Sequence, residues 1–485
     1  MGLTKVSVVS NKSHTLAYSI ILLQELNLCY KWNPIYWSCS NLIVDSGALD
    51  EDSNDSTNYN KLGVALATVQ RENVHVALPT VEDAQFGFKP DIEHDQIVFG
   101  LKAINKINTA IAQIIVANRP YASFDDFVQR LVVTKQIQNA QMIQLIKAGC
   151  FTKLHNADRR ITMEYYLKTY VFEPCNALTL SQFNKMQAIG FISNDQLEIK
   201  MINFKAYVLD DSNLVNKYID PNRKMVKRGY HDGWYTLDEN SMPFFKQHFT
   251  EDSIVDVNGQ NYVVSEKLFT KEVDSYIKPF LDWLKQPETL DRYNECLFKE
   301  LWNKHAYGNE SRWNMQALCF YDGEHELEHI DESRYGIVNY FDLPEDPEPY
   351  EWYTRYIHGE AKRIAKYKIV RIAGTIISAD PTHYMINLLT KYGTVPVKLT
   401  KGHYSFYNKR ITSTDAETEK RTVVENGWLT RGNMLLISGI RDGDTFYPRI
   451  YEDSIYKHTI ALITEVKGDQ LVLQTERTDT SHGSE

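Results

Sequence analysis

Several groups of residues in this 485-residue chain have types and spacings that could do chemistry. The first is Asn11-Lys12-Ser13-His14-Thr15 followed by Tyr18. Ser13 can cap a helix running through Ala17, Tyr18, Ile21, Leu22 and Leu26. A lysine and a histidine beside a helix N-terminus suit a triphosphate, although a capped amphipathic helix accounts for the same spacing. The second is His325-Glu326-Leu327-Glu328-His329. On a helix this HExxH string sets two imidazoles and a glutamate on one face, as a zinc peptidase needs. Here Asp322, Gly323 and Glu324 supply no apolar helix upstream and no clear third ligand follows, so the zinc reading is set aside. The third is Asp210-Asp211, which charged surface turns explain better than a metal site. The fourth is a basic stretch carrying Lys362, Arg363, Lys366, Lys368, Arg371, Lys391, Lys398, Lys401, Lys409 and Arg410 against Asp380 alone.

The elements that must position these groups centre on residues 99–154. Leu101, Ile104, Ile107, Ile111, Ile114 and Ile115 follow a helical period that is interrupted at Lys106-Ile107-Asn108, and Pro120 stops the second helix. Ser123 caps a further helix, with Asp125 and Asp126 in its first turn, where the dipole favours acids. Asn139 caps Met142–Ala148, and Gly149 fits the left-handed residue after it. Short helices joined by tight turns suit a grip on DNA that reads no bases, because backbone N–H groups at helix starts can hold phosphates. Periodicity alone describes an ordinary four-helix core equally well.

Composition narrows the classes. Lysine and arginine number 53 against 63 acidic residues, a net charge of −10, so any nucleic-acid contact rests on local patches. The six cysteines are scattered without a CxxC pair, which points to a reducing cytosol and against a zinc knuckle. No apolar run approaches a membrane span and no signal peptide is visible, so a cytoplasmic location without membrane contact is expected.

Along the chain, residues 45–60 read as a solvated loop and 61–72 as a helix. Residues 203–209 read as a strand, 254–264 as a hairpin across Asn258-Gly259, and 276–284 as an amphipathic helix. Lys224, Lys227 and Arg228 read as a basic surface loop. Residues 342–351 are acidic and proline-rich, as a linker would be. Beyond them, 367–377, 385–389, 394–399, 434–440, 445–450, 459–464 and 471–473 read as short strands. With Tyr384, Tyr404, Phe406 and Tyr407 beside the basic stretch, these strands describe a nucleotide-binding OB barrel, and a generic β-barrel with solvated lysines accounts for them equally well.

Three stretches carry a resemblance to the C family of DNA polymerases, the bacterial and phage polymerase III alpha subunits. Phe99-Gly100-Leu101 with Ala103-Ile104, then Tyr121, Phe124 and Phe127, then Asn139, Met142, Ile143, Leu145 to Gly149 and Phe151 resemble that family's tandem helix-hairpin-helix region. Asn11 to Tyr18 with Gln24 and Asn33-Pro34 is similar to the end of the fingers. Leu318 to Leu327 resembles a segment ending in Gly-Phe-Tyr-xx-Gly-His-Pro-Leu. The family has Gly-hydrophobic-Gly where this chain has Lys106-Ile107-Asn108. Of these residues, Asn108 takes a left-handed conformation more readily than Lys106, and Lys102 and Lys106 can supply charge in place of the glycines.

The resemblance implies an α+β multidomain chain. Residues 1–95 are the end of the fingers, 96–155 the helix-hairpin-helix region, 156–341 a mixed α/β connecting region, 342–360 an acidic linker and 361–475 an OB-fold domain. It implies that Lys12, Ser13, His14 and Tyr18 lie near nucleotide and template. It implies DNA contacts at Lys102, Lys106, Asn108, Lys147, Lys391, Lys398, Lys401, Tyr404, Tyr407, Lys409 and Arg410. The partners are primer–template duplex, single-stranded template and a palm-bearing polymerase chain that holds the Mg2+ ions, since no catalytic carboxylate cluster is assigned in this chain. Gln470-Leu471-Val472-Leu473-Gln474 is similar to a sliding-clamp peptide that ends in phenylalanine, and a last barrel strand explains it as well. The implied function is the C-terminal half of a split replicative polymerase, inactive alone. The alternative is an accessory DNA-binding protein built from the same parts.

Overall fold

The computed structural model describes residues 12–52, 55–210, 217–218, 233–357, 360–414, 421–449 and 459–478. They form two compact units, Met1–Tyr165 with Gly308–Glu485, and Tyr166–Tyr307.

The first unit begins with helices α1 (Lys12–Lys31), α2 (Ile35–Asp45) and α3 (Tyr59–Arg71). Asn58 starts α3, its side chain accepting from the Lys61 N–H at 3.2 Å. A small sheet of His75–Ala77, Gln96–Val98 and Lys89–Asp91 leads into the hairpin region. There α4 (Thr109–Ala117), α5 (Phe124–Phe127) and α6 (Asn139–Lys147) pack through an aromatic cluster. Phe151 lies 5.0 Å from Phe124 and 4.9 Å from Phe127, and Tyr121 lies 4.8 Å from Phe127, centroid to centroid. The Tyr121 hydroxyl donates to the Ile115 carbonyl at 2.6 Å, and burial pushes its pKa up to about 12. The motif aromatics are therefore the core that sets the helices at their angles. Gly100 has a separate reason. A Cβ there would stand 2.4 Å from the Gly87 carbonyl carbon, so only glycine admits the strap in which Leu101 and Lys102 donate to Gln85 and Phe86.

The C-terminal part of the same unit is a closed barrel. Its strands are β1 (Val370–Asp380), β2 (Met385–Thr390), β3 (Gly393–Lys398), β4 (Met434–Asp442) and β5 (Thr445–Pro448). Their order is β1-β2-β3-β5-β4, and β4 pairs back to β1. β3 and β5 are parallel and the other pairs antiparallel, with a helix at Lys401–Asn408 between β3 and β4. This is the connectivity of an OB fold. β6 (Ile460–Lys467) and β7 (Gln470–Gln474) extend the sheet beyond β4. Ile372, Ile376, Leu388, Val397, Leu435 and Phe446 fill the barrel. On the outside, Ala373 packs with Tyr335, Met434 and Leu471, and Ile377 packs with Met315 and Tyr321. Both faces of β1 are therefore covered, and Arg371, Thr375 and Ser378 are buried along with its apolar residues.

The second unit pairs helices with the sheet Lys217–Tyr218, Trp234–Thr236, Asn261–Ser265, Ile254–Asn258. The hairpin at Asn258-Gly259 forms as read, with Gly259 at φ 63°. The helix Glu266–Leu284 includes 276–284.

Several expectations change. Residues 203–208 belong to the helix Leu197–Val208, which Leu209 follows, and Met201 and Val208, two turns apart, face one core. Seven residues were too few to separate the two periods. Gln138, not Asn139, precedes α6, its backbone N–H donating to the Gln141 side chain at 2.8 Å. Glu351–Ile357 and Glu360–Lys366 pair as a two-stranded ribbon, so much of the second half of the expected linker 342–360 lies in a strand. Residues 308–341 belong with the hairpins and barrel, separating them from the rest of the connecting region. The HExxH string is turn, not helix. His325 donates through one ring nitrogen to the Leu389 carbonyl at 2.9 Å and accepts the Leu327 N–H on the other at 3.0 Å. Both nitrogens are used, so neither is presented to a metal. Asp211, Lys224, Lys227 and Arg228 lie outside the described residues.

Candidate nucleic-acid interface

The first hairpin is the turn between Leu101–Ala103 and α4. Asn108 caps α4, accepting from the Ile111 N–H at 3.0 Å with φ −90°. The left-handed residue is Lys106, at φ 66°, the reverse of the sequence expectation. Asn108 is committed to the cap, and a cap needs extended backbone, so the reversal of chain direction falls on Lys106. Its side chain is exposed.

The second hairpin runs from α5 through Val128–Val133 into α6. Ser123 starts it as expected, accepting from the Asp126 N–H at 3.1 Å. Its turn also contains a left-handed lysine, Lys135 at φ 62°, exposed beside exposed Thr134 and Gln136. Sequence reading missed Lys135. The signal for it was its place in the turn before a helix start, as for Lys106, three residues before the N-cap where Lys106 is two. After α6 the chain turns at Gly149, φ 82°, as expected. Exposed Ala110 and Ala140 mark helix starts at which first-turn N–H groups can meet phosphates.

The remaining candidate lysines divide. Lys102 is buried, its ammonium donating to the Asp55 carbonyl at 2.9 Å and the Thr57 hydroxyl at 3.1 Å, and burial lowers its pKa. Lys147 is buried too, donating to the Gln316 side chain at 2.8 Å. Burial, and then the positive charges of Lys106 and Arg312, bring its pKa down to about 8. Both lysines tie the hairpins to neighbouring segments and present no charge to DNA. Lys391 pairs with Glu332 at 3.2 Å, and Lys398 donates to the His383 carbonyl. Lys401, Lys409 and Arg410 are exposed.

The barrel aromatics move the other way. Tyr404 and Tyr407 point into the barrel core at 4% and 9% exposure, so their rings are unavailable to a base. The helix that carries them turns one face to the core, and both tyrosines lie on it, three residues apart. Phe406, between them, is exposed. Arg477 braces this end, donating to the Tyr407 carbonyl at 2.7 Å and the Lys409 carbonyl at 2.6 Å, and it pairs with Glu425 at 2.8 Å.

Lys12, Ser13 and His14 stand in the first described turn of α1, which places Ser13 within the helix instead of at its cap. Tyr18 is exposed on the same helix. Gln470–Gln474 is strand β7, with Leu471 buried against the barrel's outer layer. Among the described residues there is no group of three or more His, Cys, Asp or Glu that could hold a metal ion, and no helix is long and apolar enough to cross a membrane.

The helix-hairpin-helix motif family matches residues 73–161, the segment that contains both turns. Two curated relatives are similar over almost the whole chain. They are the probable DNA polymerase YorL of Bacillus subtilis (strain 168) and the DNA-directed DNA polymerase of Bacillus phage SPbeta. Each is 37% identical over 477 residues, which is 96% of this chain and 35% of the relative. The chain thus spans about a third of the length of the curated relatives it matches. Along nearly its whole length it is a member of the family of these DNA polymerases, with a helix-hairpin-helix region at residues 73–161.

Proposed function

We propose that this chain is the DNA-holding half of a replicative DNA polymerase and works with a palm-bearing polypeptide in the cytoplasm. The two hairpins grip the newly made duplex through phosphates, with Lys106 and Lys135 at their turns. The OB barrel steers single-stranded template past Lys401, Lys409 and Arg410. Helix α1 completes the fingers and brings Lys12, Ser13, His14 and Tyr18 toward the incoming nucleotide. The Mg2+ ions belong to the palm, and no step runs through a metal on this chain.

The observation that carries this reading is the helix-hairpin-helix match inside a chain 37% identical over 96% of its length to proteins named DNA polymerase. The surface of α1 supports the partner. Leu16, Tyr18, Leu22, Leu23, Leu26 and Leu28 are each more than half exposed, and Ile20 and Ile21 are nearly half exposed, around the helix. A helix apolar on every side is stable when something covers it.

The test is primer extension with this chain, with a palm-bearing chain, and with both. Synthesis in the mixture alone is the expected outcome, weakened by Lys12→Ala or His14→Ala, with association lost on Leu22→Glu/Leu26→Glu. DNA binding without synthesis in the mixture would instead establish an accessory protein.

A further inference from the structure

The ribbon of Glu351–Ile357 and Glu360–Lys366 has two unlike faces. Its register sets Trp352 opposite Ala365, Thr354 opposite Arg363, and Tyr356 opposite Ala361. Opposite residues share a face, and so do alternate residues along a strand. One face therefore carries Trp352, Thr354, Tyr356, Ala361, Arg363 and Ala365, without a carboxylate. An alanine stands across from each ring, with Trp352 at 49% and Tyr356 at 75% exposure, Tyr356 being the more open of the two. The Arg363 guanidinium lies 5.1 Å from the Trp352 ring centroid. The other face carries both of the ribbon's carboxylates, Glu351 and Glu360, among Arg355, Lys362 and Lys366, and Glu351 pairs with Lys366 at 3.4 Å. This cationic, aromatic face belongs to a protein of net charge −10.

The barrel's own surface is taken at a place where OB folds commonly hold single strands, the outer side of β2 and β3. Val64 and Ala67 of α3 pack with Leu389 of β2, His325 holds the Leu389 carbonyl, and Asn60 donates to the Ala379 carbonyl of neighbouring β1 at 3.1 Å. With Tyr404 and Tyr407 buried as well, the ribbon offers the barrel domain large rings open to solvent beside a cation.

We propose that the Trp352–Tyr356–Arg363 face is a stacking platform for unpaired bases of single-stranded DNA, an inference that rests on the DNA-binding function proposed above. Bases in a duplex already stack on one another, so open rings select unpaired ones. Trp352 and Tyr356 are four residues apart on one strand, about 13 Å, so each ring takes its own base. Arg363, across from the residue midway between them, meets the backbone phosphates that run between those bases.

The test compares the full chain with Trp352→Ala/Tyr356→Ala and with Trp352→Phe/Tyr356→Phe. Fluorescence anisotropy is read with a labelled oligothymidylate, an abasic oligomer of equal length, and a duplex. Two lost stacks weaken oligothymidylate binding by about 30-fold or more. Duplex and abasic binding change less than about twofold, and the phenylalanine pair stays within about threefold of wild type on oligothymidylate. Equal binding of oligothymidylate by wild type and the alanine pair overturns the platform while leaving duplex binding, and the proposed function, intact. Equal loss on duplex and single strand also overturns it, because the ribbon would then act through the fold. A wild-type chain that binds no DNA of any form refutes the proposed function itself.

Discussion

Replacing Lys147 by methionine separates a structural lysine from a DNA-binding one. The ammonium sits in a buried site with its pKa down at about 8, against 10.5 for a free lysine. Between those values the unfolded chain binds a proton that the folded chain does not, so raising the pH through this window stabilises the fold. The difference amounts to about 3 kcal/mol of strain from the charge at pH 7. Lys147→Met removes that cost and gives up one hydrogen bond to Gln316, which is half-buried and can turn to water, a loss of about 1 kcal/mol. The variant should be about 2 kcal/mol more stable than wild type at pH 7 and about 1 kcal/mol less stable at pH 10.5. The assay is urea unfolding of both proteins at intervals across pH 7 to 10.5, following the transition of the unit that contains the hairpins. A stability difference that stays flat across this range would refute the burial argument. So would a fall of about one in the salt slope of DNA binding for Lys147→Met, since that slope counts phosphate contacts.

The hairpin turns give the complementary result. Lys106→Ala and Lys135→Ala should each reduce the slope of log affinity against log salt for duplex DNA by about 0.9, with the unfolding midpoint in urea little changed because both side chains are exposed. Gly100→Ala should destabilise by about 3 kcal/mol, because its Cβ would overlap the Gly87 backbone, and denaturation curves would show it. His325 is held neutral, its pKa pushed down to about 4 chiefly by burial and further by Lys391, against the pull of the Leu389 carbonyl. The unfolded chain binds the proton first as pH falls from 6.5 to 4, so stability is lost across that window. His325→Gln should flatten the acid side of the stability profile by up to about 3 kcal/mol.

The local grammar of the fold was legible. Helical spacing found α4 and α6, Ser123 and Gly149 marked boundaries where the structure has them, and alternating runs found the barrel strands within a residue or three of their ends. These features follow from backbone preferences and from which side chains can face a core, and both are written in short windows of sequence. The motif aromatics were found by resemblance, and the structure gives their reason, a cluster in which Phe124, Phe127 and Phe151 fix the helix angles.

Sequence by itself determined the hairpin helices, the barrel strands and that charge must act locally in an acidic chain. Tertiary structure decided which groups reach solvent. Lys102 and Lys147 look like Lys106 and Lys135 in composition, yet neighbours forty or more residues away bury the first pair. Tyr404 and Tyr407 look like stacking residues until the helix carrying them turns that face into the barrel, while Trp352 and Tyr356, in what read as linker, are left open. Whether a cation or a ring is available depends on what packs over it, and that partner is set by long-range contacts that no local window contains.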